Sequence, residues 1–344
     1  MKILLYDAGE ARNEFNEPIG IEILAAKLIQ RFGNDISLDT KWYNCDGDSF
    51  DISQYDVIGI SINIGRLNIF DKIYNRYKEC HKLGIIIVGN TISTFGYPQL
   101  LERYPDIICV IGEGENVFVE IIRKINYEHT TDFTSIPNLA FINNNIVTTT
   151  NREICNMNEY LPPVRVFNEH MIKNKGIFRI EGSRGCSWNK CSFCGATHKY
   201  NGIGWRPIDI EIIINQLIEL NDYGIKTVYF SDEDFIGNNA ARFINLINQI
   251  EKNMLSGKIS SEMSFFISIK PIDLLNNNIY SAIKRYMHFG LKELFVGIES
   301  GCERQLKRYN RCTNLNSNKM VVDRINELMG LDLSIDLGFI FMLL

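Results

Sequence analysis

The segment Ile177-Phe178-Arg179-Ile180-Glu181-Gly182-Ser183-Arg184-Gly185-Cys186-Ser187-Trp188-Asn189-Lys190-Cys191-Ser192-Phe193-Cys194 joins two signals. Residues 177–181 read as a short strand. The polar, glycine-flanked stretch behind it places three cysteines within nine residues. Downstream, strand-type runs recur at 227–231, 264–269, 293–298 and 334–341, and helical spacing fits 210–223, 240–254, 278–289 and 316–329. Strands alternating with helices imply a parallel sheet. Five such steps read as part of a (β/α) barrel, with the cysteines on the loop after its first strand. Polar groups gather where the strands end: Glu181, the run Asp232-Glu233-Asp234, Ser268 with Lys270, and Glu299-Ser300. Barrel enzymes place their chemistry at that rim.

The amino-terminal half shows a similar alternation. Strand-type runs at 2–6, 55–62, 84–88 and 107–111 are interleaved with helical patterns at 19–31, 69–81 and 114–125. This implies an α/β, doubly wound parallel sheet, in which ligands sit beyond the carboxyl ends of the strands. The turns there are 7–17, 61–66, 89–97 and 112–115; Gly89, Asn90, Gly112, Glu113 and Gly114 are their candidate binding residues. From 126 the pattern breaks. Residues 139–142 and 146–150 read as a hairpin around Asn143-Asn144-Asn145, because asparagine tolerates the positive φ of a tight turn. Leu161-Pro162-Pro163 marks a linker. The expected organisation is a doubly wound domain over 1–126, a hairpin-bearing linker over 127–175 and a partial barrel over 176–344.

Composition sets the outer limits. A chain of 344 residues is about twice a typical domain length. With 45% hydrophobic and 22% charged residues, 25 Gly and 8 Pro, it is not a disordered or collagen-like chain. Thirty-six basic residues against 41 acidic give a net charge of −5, with no block of five like charges. No nucleic-acid-binding surface is indicated. No apolar run reaches the roughly 20 residues a bilayer span needs, and Met1-Lys2-Ile3-Leu4-Leu5-Tyr6-Asp7 turns acidic too soon for a signal peptide. Nine cysteines, six of them scattered at 45, 80, 109, 155, 302 and 312, fit reduced thiols in the cytoplasm with one special site.

That site is the triad Cys186, Cys191 and Cys194. Three soft thiolates at short spacing hold a soft metal or cluster. On a cubane iron–sulfur cluster, three cysteines leave one iron open for a substrate. His198 follows Cys194 by four residues, so a tetrahedral Cys3His zinc site over Cys186, Cys191, Cys194 and His198 stands as an alternative. A nicotinamide site is rejected: Gly112-x-Gly114 lacks the third glycine of the fingerprint and follows the last strand of its sheet.

The chain resembles the radical S-adenosylmethionine enzymes in which a cobalamin-binding-type domain precedes the radical barrel. The resemblance runs over nearly the whole chain. It is carried by Arg184-Gly185-Cys186 with Cys191-Ser192-Phe193-Cys194, by Ser231-Asp232-Glu233-Asp234-Phe235, by Gly297-Ile298-Glu299-Ser300-Gly301, and by Gly112-Glu113-Gly114-Glu115 in the first half. It implies that Cys186, Cys191 and Cys194 ligate three irons of a four-iron–four-sulfur cluster, with S-adenosylmethionine chelating the fourth. One electron then cleaves the sulfonium and releases a 5′-deoxyadenosyl radical. It further implies Phe193 near the adenine, Glu233 or Asp234 accepting from the methionine ammonium, Lys270 on its carboxylate and Glu299 on ribose or ammonium. Asp232, Ser268 and Ser300 join these as rim candidates for cofactor binding. A small reductant such as flavodoxin or ferredoxin and a small-molecule or peptide substrate follow, with methylation or another carbon-centred modification as the outcome.

Two departures from the family pattern stand out. Four residues separate Cys186 from Cys191 where the superfamily usually has three. The loop after the first strand, Asp7-Ala8-Gly9-Glu10-Ala11-Arg12, lacks the histidine of Asp-x-His-x-x-Gly proteins, so cobalamin enters without a histidine ligand or is absent. The chain closes on Phe341-Met342-Leu343-Leu344 inside a fifth strand, which reads as a truncated chain or one part of a split enzyme completed by another polypeptide. A non-catalytic cobalamin- or cluster-binding sensor, a zinc-stabilised binding protein and an inactive fragment are the rival readings.

Overall fold

All four central residues of strand β1 (Lys2–Asp7) are buried. A strand with one wet face alternates buried and exposed positions, so this continuous run calls for a sheet covered on both sides. The computed structural model describes residues 1–9, 15–81, 83–331 and 333–341. It divides into two compact units, 1–176 with 199–201, and 177–198 with 202–344.

In the first unit β1 is followed by helix α1 (Ile19–Phe32), β2 (Ser37–Trp42), α2 (Tyr43–Asp46), β3 (Val57–Ser61), α3 (Leu67–Cys80), β4 (Ile85–Gly89), α4 (Thr91–Arg103), β5 (Ile107–Val110), α5 (Glu115–Arg123), β6 (Leu139–Asn143), β7 (Ile146–Thr149) and α6 (Asn168–Lys173). The sheet order is β2-β1-β3-β4-β5-β6-β7, with the first five strands parallel. Leu4, Ile58, Ile60, Ile86 and Val88 share one core with Ile69, Phe70, Ile73 and Tyr77 of α3, which recur at helical spacing on one face.

Two elements here escape a reading by periodicity. Strand β2 has only one buried residue, Trp42; as an edge strand it needs little apolar character. Helix α4 lies in what reads as a turn, since it contains Pro98 and a non-helical Gly96. The hairpin expected in the linker is present, with Asn144 and Asn145 at φ +50 and +63. Its first strand pairs antiparallel with β5, so it extends the first sheet.

The second unit runs β8 (Phe178–Ile180), β9 (Ser183–Arg184), α7 (Ala196–Lys199), β10 (Arg206–Pro207), α8 (Ile210–Asp222), β11 (Thr227–Phe230), α9 (Ala240–Leu255), β12 (Ser264–Ile269), α10 (Asn277–Met287), β13 (Leu291–Glu299), α11 (Glu303–Arg308), α12 (Leu315–Met329) and β14 (Ser334–Phe339). Its main sheet, β14-β13-β12-β11-β8, is parallel throughout, a partial barrel with neighbours in chain order. Buried aromatics pack beneath it: Phe230 lies 4.6 Å from Phe235, and Phe265 stacks on Tyr286 at 5.4 Å. No helix among the described residues is long and apolar enough to cross a membrane.

Candidate active site

Beyond β8 the chain turns into the cysteine loop, whose neck is closed by the two-residue ladder of β9 against β10. Arg242 holds the same neck from α9, donating to the carbonyls of Gly182 at 2.9 Å and Ile208 at 2.8 Å.

The three consecutive carboxylates after β11 each take a different part of this loop. Asp232 accepts from the Gly182 amide at 2.9 Å and from the Ser183 hydroxyl. Glu233 accepts from the Gly185 amide at 3.2 Å. Asp234 accepts from the Ser187 amide at 2.9 Å and its hydroxyl at 2.8 Å, directly behind Cys186. Asp234 is fully buried and also meets Lys270 Nζ at 2.6 Å, while Asp273 stands 3.3 Å from the same ammonium. The acidic run is therefore a clamp on backbone amides that would otherwise be left unpaired at the start of the loop. Behind it, Gly237 has φ +65, and a Cβ there would stand 1.9 Å from the indole of Trp205. Only glycine allows that approach, which lets Trp205 Nε1 donate to the Asp234 carbonyl at 2.7 Å.

These contacts set the protonation states. Burial pushes the Asp232 carboxyl up to about 7, against relief from Ser183 and Gly182. Burial also opposes ionisation of Asp234, yet the Lys270 charge and the hydrogen bonds from Lys270 and Ser187 outweigh it and hold the group below the usual carboxylate range. Asp273 is raised by burial to about 6. The folded state thus keeps a proton on Asp232 that an unfolded chain gives up near pH 4. Its stabilising share is complete below pH 4 and falls as pH rises to about 7, by at most about 4 kcal/mol. Asp232→Asn is expected to flatten that slope. Urea midpoints measured from pH 4 to 8 check this, and parallel slopes in the two proteins would count against it.

The far half of the loop is fastened by a different element. Ser192 donates from its amide to the Tyr309 carbonyl at 3.0 Å and from its hydroxyl to the Arg308 carbonyl at 3.0 Å. Trp188 Nε1 donates to the Asn310 carbonyl at 2.7 Å, and Asn310 Nδ2 returns to the Lys190 carbonyl at 2.9 Å. Phe193 packs edge-on against Tyr309 at 5.3 Å. Arg311 Nη1 reaches Cys191 Sγ at 3.2 Å. None of these partners is announced by a motif; the one hint is the basic run Lys307-Arg308-Tyr309-Asn310-Arg311 soon after the glutamate motif.

Glu299 has φ +66, and its carboxylate folds back over Gly297, where a Cβ would meet Oε1 at 2.4 Å. It faces Arg311 at 3.7 Å. Burial raises its carboxyl and the Arg311 charge opposes that rise. The Ser300 hydroxyl accepts from the Cys302 amide at 3.1 Å, and the Ser268 carbonyl accepts from the Phe235 amide at 3.0 Å. The three cysteines are free, half-buried thiols. Burial pushes Cys186 and Cys191 up, and for Cys191 the Arg311 charge pulls the other way. Among the described residues, no three His, Cys, Asp or Glu side chains stand close enough together to hold one metal ion. Three reduced thiols on one held loop, beside an arginine that donates to sulfur, suit a thiolate-ligated cluster with its several separated irons.

In the first unit the candidate residues line the carboxyl edge of the sheet. Asn90 has φ +76; its amide nitrogen donates to Ser61 Oγ at 3.0 Å, and its oxygen caps Thr91. Gly112 has φ +82 and donates to Thr94 Oγ1 at 3.0 Å. Buried Glu113 accepts from the Cys155 amide at 2.8 Å, Gly114 is the N-cap of α5, and Gly89 ends β4.

The radical SAM superfamily profile matches residues 180–343. A 4′-phospho-dehydrooxetanocin synthase from Priestia megaterium is 29% identical over 307 residues, which are 84% of this chain and 40% of that protein. Among solved structures, the cobalamin-dependent S-adenosylmethionine radical enzyme OxsB, with aqua-cobalamin and S-adenosylmethionine bound, has a TM-score of 0.82 at 24% identity over 98% of this chain and 49% of its own. The radical S-adenosylmethionine methyltransferase TsrM from Kitasatospora setae, with cobalamin and a [4Fe-4S] cluster bound, has a TM-score of 0.76 at 14% identity over 95% and 65%. The chain thus spans about half the length, or less, of the first of these relatives. With the cysteine loop after the first strand of a partial barrel, residues 180–343 match the radical SAM superfamily, and the chain as a whole has the fold of the cobalamin-dependent radical S-adenosylmethionine enzymes it resembles.

Proposed function

We propose that this chain holds the cofactors of a radical S-adenosylmethionine enzyme that methylates, or otherwise modifies at carbon, a small-molecule or peptide substrate. Cys186, Cys191 and Cys194 ligate a four-iron–four-sulfur cluster whose fourth iron takes S-adenosylmethionine, and the first unit is the place for cobalamin, held without a histidine from the β1 loop. When bound and reduced by one electron, that pair supplies cleavage of the sulfonium to methionine and a 5′-deoxyadenosyl radical, which takes a hydrogen atom from the substrate. The protein's share is to keep the three thiols on a loop that does not move. Asp232, Glu233 and Asp234 do so from one side and the 308–311 segment from the other.

The observation that carries this reading is the clamp, in which three adjacent carboxylates each hold part of the loop that presents Cys186. Asp234 and Lys270 act here as positioning residues, since each is occupied by the other in the buried pair. Glu299, at the strand end beside Arg311, is the carboxylate proposed for the ribose or ammonium, and Phe193 the ring proposed for the adenine. A flavodoxin or ferredoxin is the proposed electron donor.

The test is anaerobic reconstitution with iron and sulfide, followed by dithionite and S-adenosylmethionine, with 5′-deoxyadenosine measured by chromatography. Formation of 5′-deoxyadenosine supports the reading. A cluster that forms with no cleavage favours a sensor, and about one zinc per chain with no iron favours a structural site.

A further inference from the structure

Arg311 lies between α11 and α12, outside every element that periodicity marks. Its side chain is only 10% exposed. A guanidinium stays charged at all working pH values, so burying one requires anionic or dipolar partners on most of its donors. Nη2 has a full partner in the Gly297 carbonyl at 2.7 Å. Nη1 points at Cys191 Sγ, 3.2 Å away, with Glu299 Oε1 farther off at 3.7 Å. The Phe193 ring lies 5.9 Å from the guanidinium carbon. Nε is buried with no hydrogen-bond partner. The cation is thus under-compensated: one carboxylate beyond hydrogen-bond range, one sulfur, one ring face and a spare donor.

Resting on the proposed cluster, we infer that Arg311 is a positioning residue that orients the Cys191 sulfur and lends positive charge to the cluster ligated there, raising its reduction potential. Reduction adds one negative charge to a cluster–thiolate assembly that is already anionic. A fixed cation hydrogen-bonded to a ligand sulfur stabilises the reduced form more than the oxidised one. The Asp234–Lys270 pair on the other side of the loop does not do this, because Lys270 is shared between two carboxylates and contributes no net positive charge. Arg311 is therefore the charge that acts on the sulfur itself.

The experiment compares reconstituted wild type with Arg311→Gln and Arg311→Lys by iron content, electron paramagnetic resonance and midpoint potential, without substrate. In Arg311→Gln the reduced fraction at fixed potential is expected to fall at least tenfold, a shift of about 59 mV for one electron, with iron content close to wild type. Arg311→Lys keeps the charge without the planar fork and is expected to recover part of the shift. Equal potentials in wild type and Arg311→Gln would overturn the inference. Should Arg311→Gln take up no iron, the neutral Arg311→Met decides by the same measurement: a potential equal to wild type overturns the inference, and a lower one upholds it. If wild type itself forms no iron–sulfur cluster, it is the proposed function that fails, and the two failures are told apart by the iron count of the wild type alone.

Discussion

The Cys186→Ala/Cys191→Ala/Cys194→Ala protein is expected to fold as wild type does and to take up essentially no iron on anaerobic reconstitution, against roughly four irons per chain for wild type. The two halves of that expectation have separate causes. Folding survives because the loop is held by its backbone and by serines: the amides of Gly182, Gly185 and Ser187 on the acidic run, and Ser192 on the 308–309 carbonyls. None of those contacts uses a sulfur. Iron is lost because a methyl group has no lone pair to donate, and the nearby carboxylates are already occupied by amides and by Lys270. Production of 5′-deoxyadenosine should fall to the level of reagents without protein. Iron analysis with the visible spectrum near about 400 nm, beside circular dichroism for the fold, checks both halves. A triple variant that keeps its full iron complement would show that other groups ligate the cluster.

Asp234→Ala is expected to show the largest loss of stability. Lys270 Nζ lies 2.6 Å from Asp234 in a place where the carboxylate is fully buried and the lysine nearly so. Removing one member of such a pair leaves a desolvated charge, at a cost of about 3–5 kcal/mol. Asp273 remains as a second partner for the ammonium, which moves the expectation toward the lower end of that range. The Ser187 amide and the Gly237 amide also lose their acceptor, which adds to the cost and loosens the loop at Cys186. Because the two side chains share one interaction, Asp234→Ala with Lys270→Met should cost less than the sum of the single changes. Denaturant unfolding of the four proteins makes the measurement. A single-variant loss below about 1 kcal/mol would mean that the pair is not the anchor of this loop.

Both expectations concern residues whose chemistry is visible in one dimension and whose purpose is not. Three cysteines in nine residues announce a soft-ligand site from spacing alone, and three successive acids after a strand announce something at a barrel rim. Read along the chain, the acids look like groups offered to a ligand. In the fold Asp232 and Asp234 are buried, and all three accept from amides of a loop some fifty residues earlier, because strands β8 and β11 are parallel neighbours whose carboxyl ends lie side by side. Arg311 was invisible for a similar reason. Its contact with Cys191 spans 120 positions, and a helix of six residues, α11, brings it there without leaving a periodic trace.

What the amino-acid order determined by itself is local. Runs such as Ile3–Leu4–Leu5–Tyr6 must be buried strands, Asn144-Asn145 must turn with positive φ, and helices such as α3 show their buried face as a spacing of three and four. Cysteine spacing points to a soft-metal chemistry because three soft ligands are confined to one short loop. The tertiary structure decided the rest: that the hairpin after α5 becomes part of the first sheet, that the polar edge strand β2 exists at all, and that charges distant in sequence meet. Edge pairing, clamping and charge compensation are energies between segments. They take their values only when backbone amides and charges leave water and must find partners at fixed distances, and no window of sequence contains both partners.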